Sequence, residues 1–207
     1  IIDSIDKAER SESNYTGVHI ESLTSNITRN FLNNICSYQN TKYLEVGVYA
    51  GGTFYSALQN NNTKGYGVDD FEKAYVPWRD DIIFNAHEDP KKAFLNPPWW
   101  PDKRYDFELF EGKIVDVTLP EKCNAIFYDA DHDPIQQYKN LNHLLQFFDD
   151  EFILMVDDAN MDGVVESVED FVKHKKLKVI FEKKILTDIP EDHSSWWNGI
   201  YILLLQK

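Results

Sequence analysis

Apolar residues along this chain follow two rhythms, one of helical and one of strand spacing. From 21 to 36, ESLTSNITRNFLNNIC places Leu23, Ile27, Phe31, Leu32 and Ile35 on one helical stripe. The run KYLEVGV (42–48) is short and nearly continuous, as a buried strand requires, and Thr53 to Leu58 begins a second helix. KGYGVDD (64–70), FELFEG (107–112), NAIFYDAD (124–131) and FILMVDD (152–158) read as further strands. Between the last two, Ile135, Tyr138, Leu141, Leu144, Leu145 and Phe148 mark a helix; Val164, Val165, Val168, Phe171 and Val172 mark another.

The chain closes with LKVIFEKKIL (177–186) and NGIYILLLQK (198–207), with no helix-length segment between them. Parallel neighbours need a long crossover, so this last pair is expected to be an antiparallel hairpin. The whole pattern predicts an α/β fold: a Rossmann-like three-layer sandwich around a mostly parallel seven-stranded sheet with a C-terminal antiparallel hairpin. Residues 1–207 are read as one domain, with 1–39 an N-terminal helical segment on the substrate side. Residues 72–106 break the rhythm as an irregular insertion, because NPPWWPDKRYD (96–106) puts three prolines around two tryptophans. It is either a loop whose tryptophans plug a surface groove or a lid over a substrate.

Composition narrows the partners. A formal net charge of -14 argues against nucleic acid, since phosphate repels such a surface. The dense basic run KHKKLKVIFEKK (173–184) fits a helix end and the following strand better than a binding patch. No window is apolar enough for a membrane helix, and the start IIDSIDKAERSES has no leader pattern. Cys36 and Cys123 match no zinc spacing and are expected to be free thiols, consistent with a reducing cytoplasm. Self-association into a homo-oligomer is left open by these features.

Candidate chemistry lies where the strands end. Open α/β sheets bind ligands outside the carboxyl ends of their strands. Glu45 precedes a glycine turn, Asp69 and Asp70 end the second strand, Asp129, Asp131 and Asp133 follow the fourth, and Asp157 and Asp158 end the fifth. In the usual strand order Asp129, Asp157 and Asp158 converge, and such carboxylates repel unless protons or a cation neutralise them. Oxygen ligands of this kind suit Mg²⁺ or another hard divalent cation. The competing reading is that single aspartates cap helices, as DAN before MDGVVES could. His132 sits in the acidic field of Asp131 and Asp133, which suits a proton acceptor, although a lone loop histidine is also an ordinary surface residue. The glycines at 47, 51 and 52 do not make G-x-G-x-x-G, and no G-K-[ST] follows, so neither dinucleotide nor P-loop binding is expected. An acidic glycine loop suits a cationic amino-acid ligand, and Asp69 a ribose diol, a description that fits S-adenosylmethionine.

On these residues the chain resembles the class I S-adenosylmethionine-dependent methyltransferases. LEVGVYAGG is similar to their E/D-x-G-x-x-x-G motif and GYGVDDF to their acidic second-strand end. YDADHDPIQQYKNLNHLL and FILMVDDAN resemble the metal-dependent small-molecule O-methyltransferases of the sugar and catechol type. The resemblance implies that Glu45, Gly47, Tyr49, Gly51 and Thr53 hold the methionine part of the cofactor, Asp69 the ribose, and Gly112 and Lys113 the adenine. It implies a metal at Asp129, Asp157 and Asp158, and Asp131 as general base with His132 as its alternative or partner. The pair Asp157-Asp158, where the catechol type carries Asp-Asn, favours the sugar-type branch, and the catechol-type lysine base has no counterpart. The expected activity is divalent-metal-dependent O-methylation of a small hydroxylated molecule. Metal-independent transfer to nitrogen, carboxyl or protein groups is the alternative, as is a non-catalytic binding protein of the same fold.

Overall fold

Short, nearly continuous apolar runs become strands where they meet neighbours of the same kind. A computed structural model of the chain describes residues 1–17, 22–72, 89–96 and 105–207. Strands β1 (Lys42–Val46), β2 (Lys64–Asp69), β3 (Phe107–Glu111), β4 (Cys123–Tyr128), β5 (Phe148–Asp157), β6 (Lys178–Ile185) and β7 (Ile200–Gln206) form one sheet in the order β3-β2-β1-β4-β5-β7-β6. The first five are mutually parallel, and β7 runs antiparallel to both β5 and β6. The expected mixed sheet and terminal hairpin are therefore present.

Helices α1 (Ile2–Glu9), α2 (Asn26–Cys36), α3 (Gly52–Leu58), α4 (Pro90–Leu95), α5 (Pro134–Leu144) and α6 (Val164–Lys175) cover the sheet. Side-chain alternation in the strands splits the core in two. Leu44, Val46, Tyr66, Val68 and Leu154 face one way, packing with Leu141 of α5 and Val168 and Phe171 of α6. Tyr43, Ala125, Phe127 and Met155 face the other way, against Phe31 and Leu32 of α2 and Phe54 and Leu58 of α3. Glu45 shares the parity of Tyr43, so a carboxyl group enters the second layer. Cys36 and Cys123 are free and buried, one in each core. No helix among the described residues is long and apolar enough to cross a membrane.

Several element ends differ from the spacing. Leu23, expected on the α2 stripe, is 42% exposed and lies outside that helix, which begins after Ser25 accepts the Thr28 amide. The stripe also understates α2, because Asn30, Asn33 and Asn34 are buried on its polar side. They are covered by the N-terminal segment: Ser13 Oγ donates to Asn30, the Asn14 amide to Asn33, and Asn34 donates to the Glu12 carbonyl. Phe148, expected at the end of α5, instead opens β5 and stacks on Phe152 with centroids 4.9 Å apart. A short 3₁₀ turn, Leu145–Phe147, ends the helix first. The basic run behaves as an exposed helix end and edge strand.

Within the 72–106 segment, Asp89 caps α4 with Pro90 in its first turn. Phe94 of that helix is fully buried against Phe54, Tyr55 and Phe107. The prolines and tryptophans of 97–101 lie outside the described residues.

Candidate active site

The ends of β1, β2 and β4 are laced together before any side chain is considered. The Gly47 amide donates to the Val68 carbonyl, and the Asp129 amide to the Val46 carbonyl, each at 2.8 Å. Gly47 has φ +91°, and a Cβ there would lie 1.8 Å from the Asp129 carbonyl oxygen. Only glycine allows this approach of the β1 turn to the β4 end. Gly51, at φ +87°, is the N-cap of α3, so the loop between the two glycines turns sharply into the helix.

Asp69 organises the outer side of that loop. Its carboxylate accepts the Tyr49 amide at 2.7 Å and the Phe71 amide at 2.6 Å. Burial raises its pKa, and those two amides pull it part of the way back. Tyr49 takes a left-handed backbone, φ 45°, to present that amide. Gly112 lies beside this end of β2, its amide bonded to the Asp69 carbonyl, and Lys113 follows it, exposed.

Glu45 lies beneath the loop rather than on its surface. It is 0% exposed, accepting from Tyr43 Oη at 2.5 Å and from Thr53 Oγ1 at 2.6 Å. Burial pushes its pKa up to about 8, against the opposing pull of the Thr53 and Tyr43 hydrogen bonds. In this conformation Glu45 and Thr53 bond to each other, and Glu45 presents no surface to a ligand. Tyr43 is a site-supporting residue that spacing alone did not single out. Its signal was available, since positions two apart in a strand share a face.

The ends of β4 and β5 bring the remaining acidic residues together. Oxygens of Asp129 and Asp158 and a ring nitrogen of His132 all lie within 4.8 Å of one another. His132 Nε2 is 3.2 Å from Asp158 Oδ2. Asp157 is 1% exposed, and its Oδ1 has no hydrogen-bond partner; buried atoms of His132 (Nε2) and Asp158 (Oδ1) are likewise without one. Burial, then the charge of Asp158, drives the Asp129 pKa well above the usual carboxylate range. Burial and then Asp129 do the same to Asp157. Orphaned buried acceptors beside like charges are the donor set a divalent cation fits.

Asp131 is set apart from this group. It is exposed, and its Oδ1 accepts the Asp133 amide at 2.9 Å. Its carbonyl accepts Tyr128 Oη, whose oxygen in turn accepts from Asn140. Asp133 caps α5 by accepting the Gln136 amide. The capping alternative thus holds for Asp133 but not for the β5 aspartates, because the N-cap of α6 is Gly163. Asn160 instead bonds to the Thr187 backbone, fastening the post-β5 loop to the β6–β7 connection. In that connection Trp196 and Trp197 are buried, Trp196 edge-on to Phe31, so they serve as packing residues. His132 comes beside Asp158 only because β4 and β5 are adjacent, a proximity with no local sequence signal.

No family model matches the chain, and no curated protein matches it in sequence. Solved structures do match. An O-methyltransferase from Bacillus cereus in complex with SAH superimposes with a TM-score of 0.55 at 12% identity, covering 99% of this chain and 91% of that one. The O-methyltransferase NovP gives a TM-score of 0.58 at 15% identity, over 87% of this chain and 81% of that one. PH1948 from Pyrococcus horikoshii, described as a candidate RNA methyltransferase, gives 0.58 at 10% identity, over 100% and 95%. Strand order, the antiparallel C-terminal strands and these likenesses together show that the chain has the fold of the class I S-adenosylmethionine-dependent methyltransferases.

Proposed function

We propose that the protein is a methyltransferase that uses S-adenosylmethionine and a divalent cation to methylate a hydroxyl group of a small molecule, with residues 1–207 acting as one catalytic unit. The observation that carries the reading is the group of buried, partly unpaired carboxylates at the ends of β4 and β5, next to the glycine turn of β1. When bound, the sulfonium donor supplies an electrophilic methyl carbon, and the cation supplies charge that favours an ionised acceptor oxygen. Asp129, Asp157, Asp158 and His132 are the residues able to hold the cation.

The chain's own contribution is mainly positioning. Gly47, Tyr49 and Gly51 form a turn narrow enough for the methionine part of the donor. Glu45, locked by Tyr43 and Thr53, holds the first turn of α3 against β1. Asp69 retains lone pairs for the ribose hydroxyls while anchoring Tyr49. Gly112 and Lys113 flank the place for the adenine. Asp131 accepts the acceptor's proton: exposed on the loop that carries His132, it is reachable from solvent. A small acceptor with an apolar body is supported by exposed Met161, Leu186 and Ile189 on the loops of this same sheet edge. The net charge of -14 weighs against a polyanionic acceptor.

Calorimetric titration with S-adenosylmethionine, and then with Mg²⁺ or Mn²⁺, is the direct test. Micromolar donor binding and a separate metal isotherm are expected, and absence of both sinks the proposal. One observation favours a second reading, metal-independent transfer or a binding role: the His132–Asp158 pair can close without an ion. Methyl transfer that survives complete chelation selects it.

A further inference from the structure

The carboxylate group at the β4 and β5 ends contains one member that is not a carboxylate. We infer that His132 is a direct ligand of the cation, through Nε2, alongside Asp129 and Asp158, and that the site therefore prefers a first-row transition ion to Mg²⁺ or Ca²⁺. The inference rests on the metal half of the proposed function and is independent of the methyl donor.

Three observations converge on it. Ligand atoms from Asp129, His132 and Asp158 lie within 4.8 Å of one another, a span one ion can bridge with small side-chain adjustments. His132 Nε2 is buried and makes no hydrogen bond, although it lies 3.2 Å from Asp158 Oδ2. Separately, Asp157, next to Asp158 in sequence, is 1% exposed and its Oδ1 lacks a partner. A dication among these residues supplies a partner for the unpaired ligand atoms.

The identity of the ligands then bears on the choice of ion. Carboxylate oxygens alone suit Mg²⁺, Ca²⁺ and Mn²⁺, whereas an imidazole nitrogen shifts preference along the first-row series toward Fe²⁺, Ni²⁺ or Zn²⁺. The arrangement also divides labour along one short loop. His132 turns inward to Asp158, while Asp131, one residue earlier, stays exposed and is left to handle the proton. Asp157, deeper in β5, becomes a supporting charge rather than the third ligand that the linear pattern Asp157-Asp158 suggests.

The test uses the full chain stripped with chelator and loaded with Mn²⁺, without methyl donor. Pulsed electron paramagnetic resonance is expected to show nitrogen modulation from a directly bound imidazole, and His132→Gln to abolish it. Calorimetry is expected to show Mn²⁺ binding tighter than Mg²⁺ and weakened about tenfold or more by His132→Gln, the scale on which metal-site substitutions act. A cooperative melt of the variant shows that the loss is local. Mn²⁺ bound by wild type without nitrogen modulation, or bound equally by the folded variant, overturns the inference and leaves the proposed function intact. Absence of any ion binding to wild type overturns both the inference and the metal half of the proposed function.

Discussion

Gly47 shows how much of the site depends on one missing carbon. A Cβ there meets the Asp129 carbonyl at 1.8 Å, and backbone is not free to yield as a flexible side chain is. Gly47→Ala is expected to displace the β4 end, lower stability by roughly 1–3 kcal/mol and weaken donor binding, as read by urea melts and calorimetry. Asp131→Asn is expected to leave donor affinity unchanged while lowering kcat by about 10²–10⁴, the range for loss of a general base. Glu45 makes a prediction about pH. Burial raises its pKa from the ordinary 4.5 of an exposed glutamate to about 8 in the fold. Its stabilising contribution is complete below the lower value and is lost as pH rises toward the higher one. Between about pH 5.5 and 8, Glu45→Gln is therefore expected to show a flatter fall in Tm than wild type, measured by calorimetric scans.

At the scale of elements, α2 makes the clearest case that periodicity tells only part of the story. Its apolar stripe seats it on the sheet, but Asn33 on the other side ties three segments together. It donates to the Ser56 and Gln59 carbonyls at 2.8 Å and accepts the Asn14 amide at 2.9 Å. Asn33→Ala leaves these groups buried without partners, and a loss of about 2–3 kcal/mol is expected in denaturant titrations. Apolar periodicity cannot reveal such a residue, because its role depends on what covers the polar face. The converse applies to α4, which spacing missed within a proline-rich stretch. Asp89 and Pro90 are a sound helix start, yet six residues are too few for a period to emerge. Phe94→Ala should cost about 3–5 kcal/mol by emptying the cluster of Phe54, Tyr55 and Phe107.

Across the whole molecule, the fold concentrates carboxylates at one edge of a sheet in a chain of net charge -14. Asp129 and Asp157 both have pKa values raised well above normal by burial and by neighbouring carboxylates. As with Glu45, their contribution to stability falls as pH rises from the normal carboxylate range toward their folded values. A cation bound at Asp129 and close to Asp157 favours their ionised forms and reverses that trend. Saturating Mn²⁺ is expected to raise Tm more at pH 8 than at pH 5.5, and excess chelator to remove the gain, in thermal melts at both pH values. At a concentration one hundred times its dissociation constant the ion would add about 2.7 kcal/mol.

The strands, their order of appearance and the antiparallel ending were legible in the chain because each is written locally, in runs of a few apolar residues and in connection lengths. The acidic strand ends were legible for the same reason, and the preference for carboxyl edges located the candidate site. The burial of Glu45 between Tyr43 and Thr53, the exposure of Asp131 and the meeting of His132 with Asp158 were decided by tertiary structure. Spacing along a strand records which face a side chain occupies, but not what packs on that face. Residues from different strands become neighbours through sheet order and register, which no local run of sequence encodes.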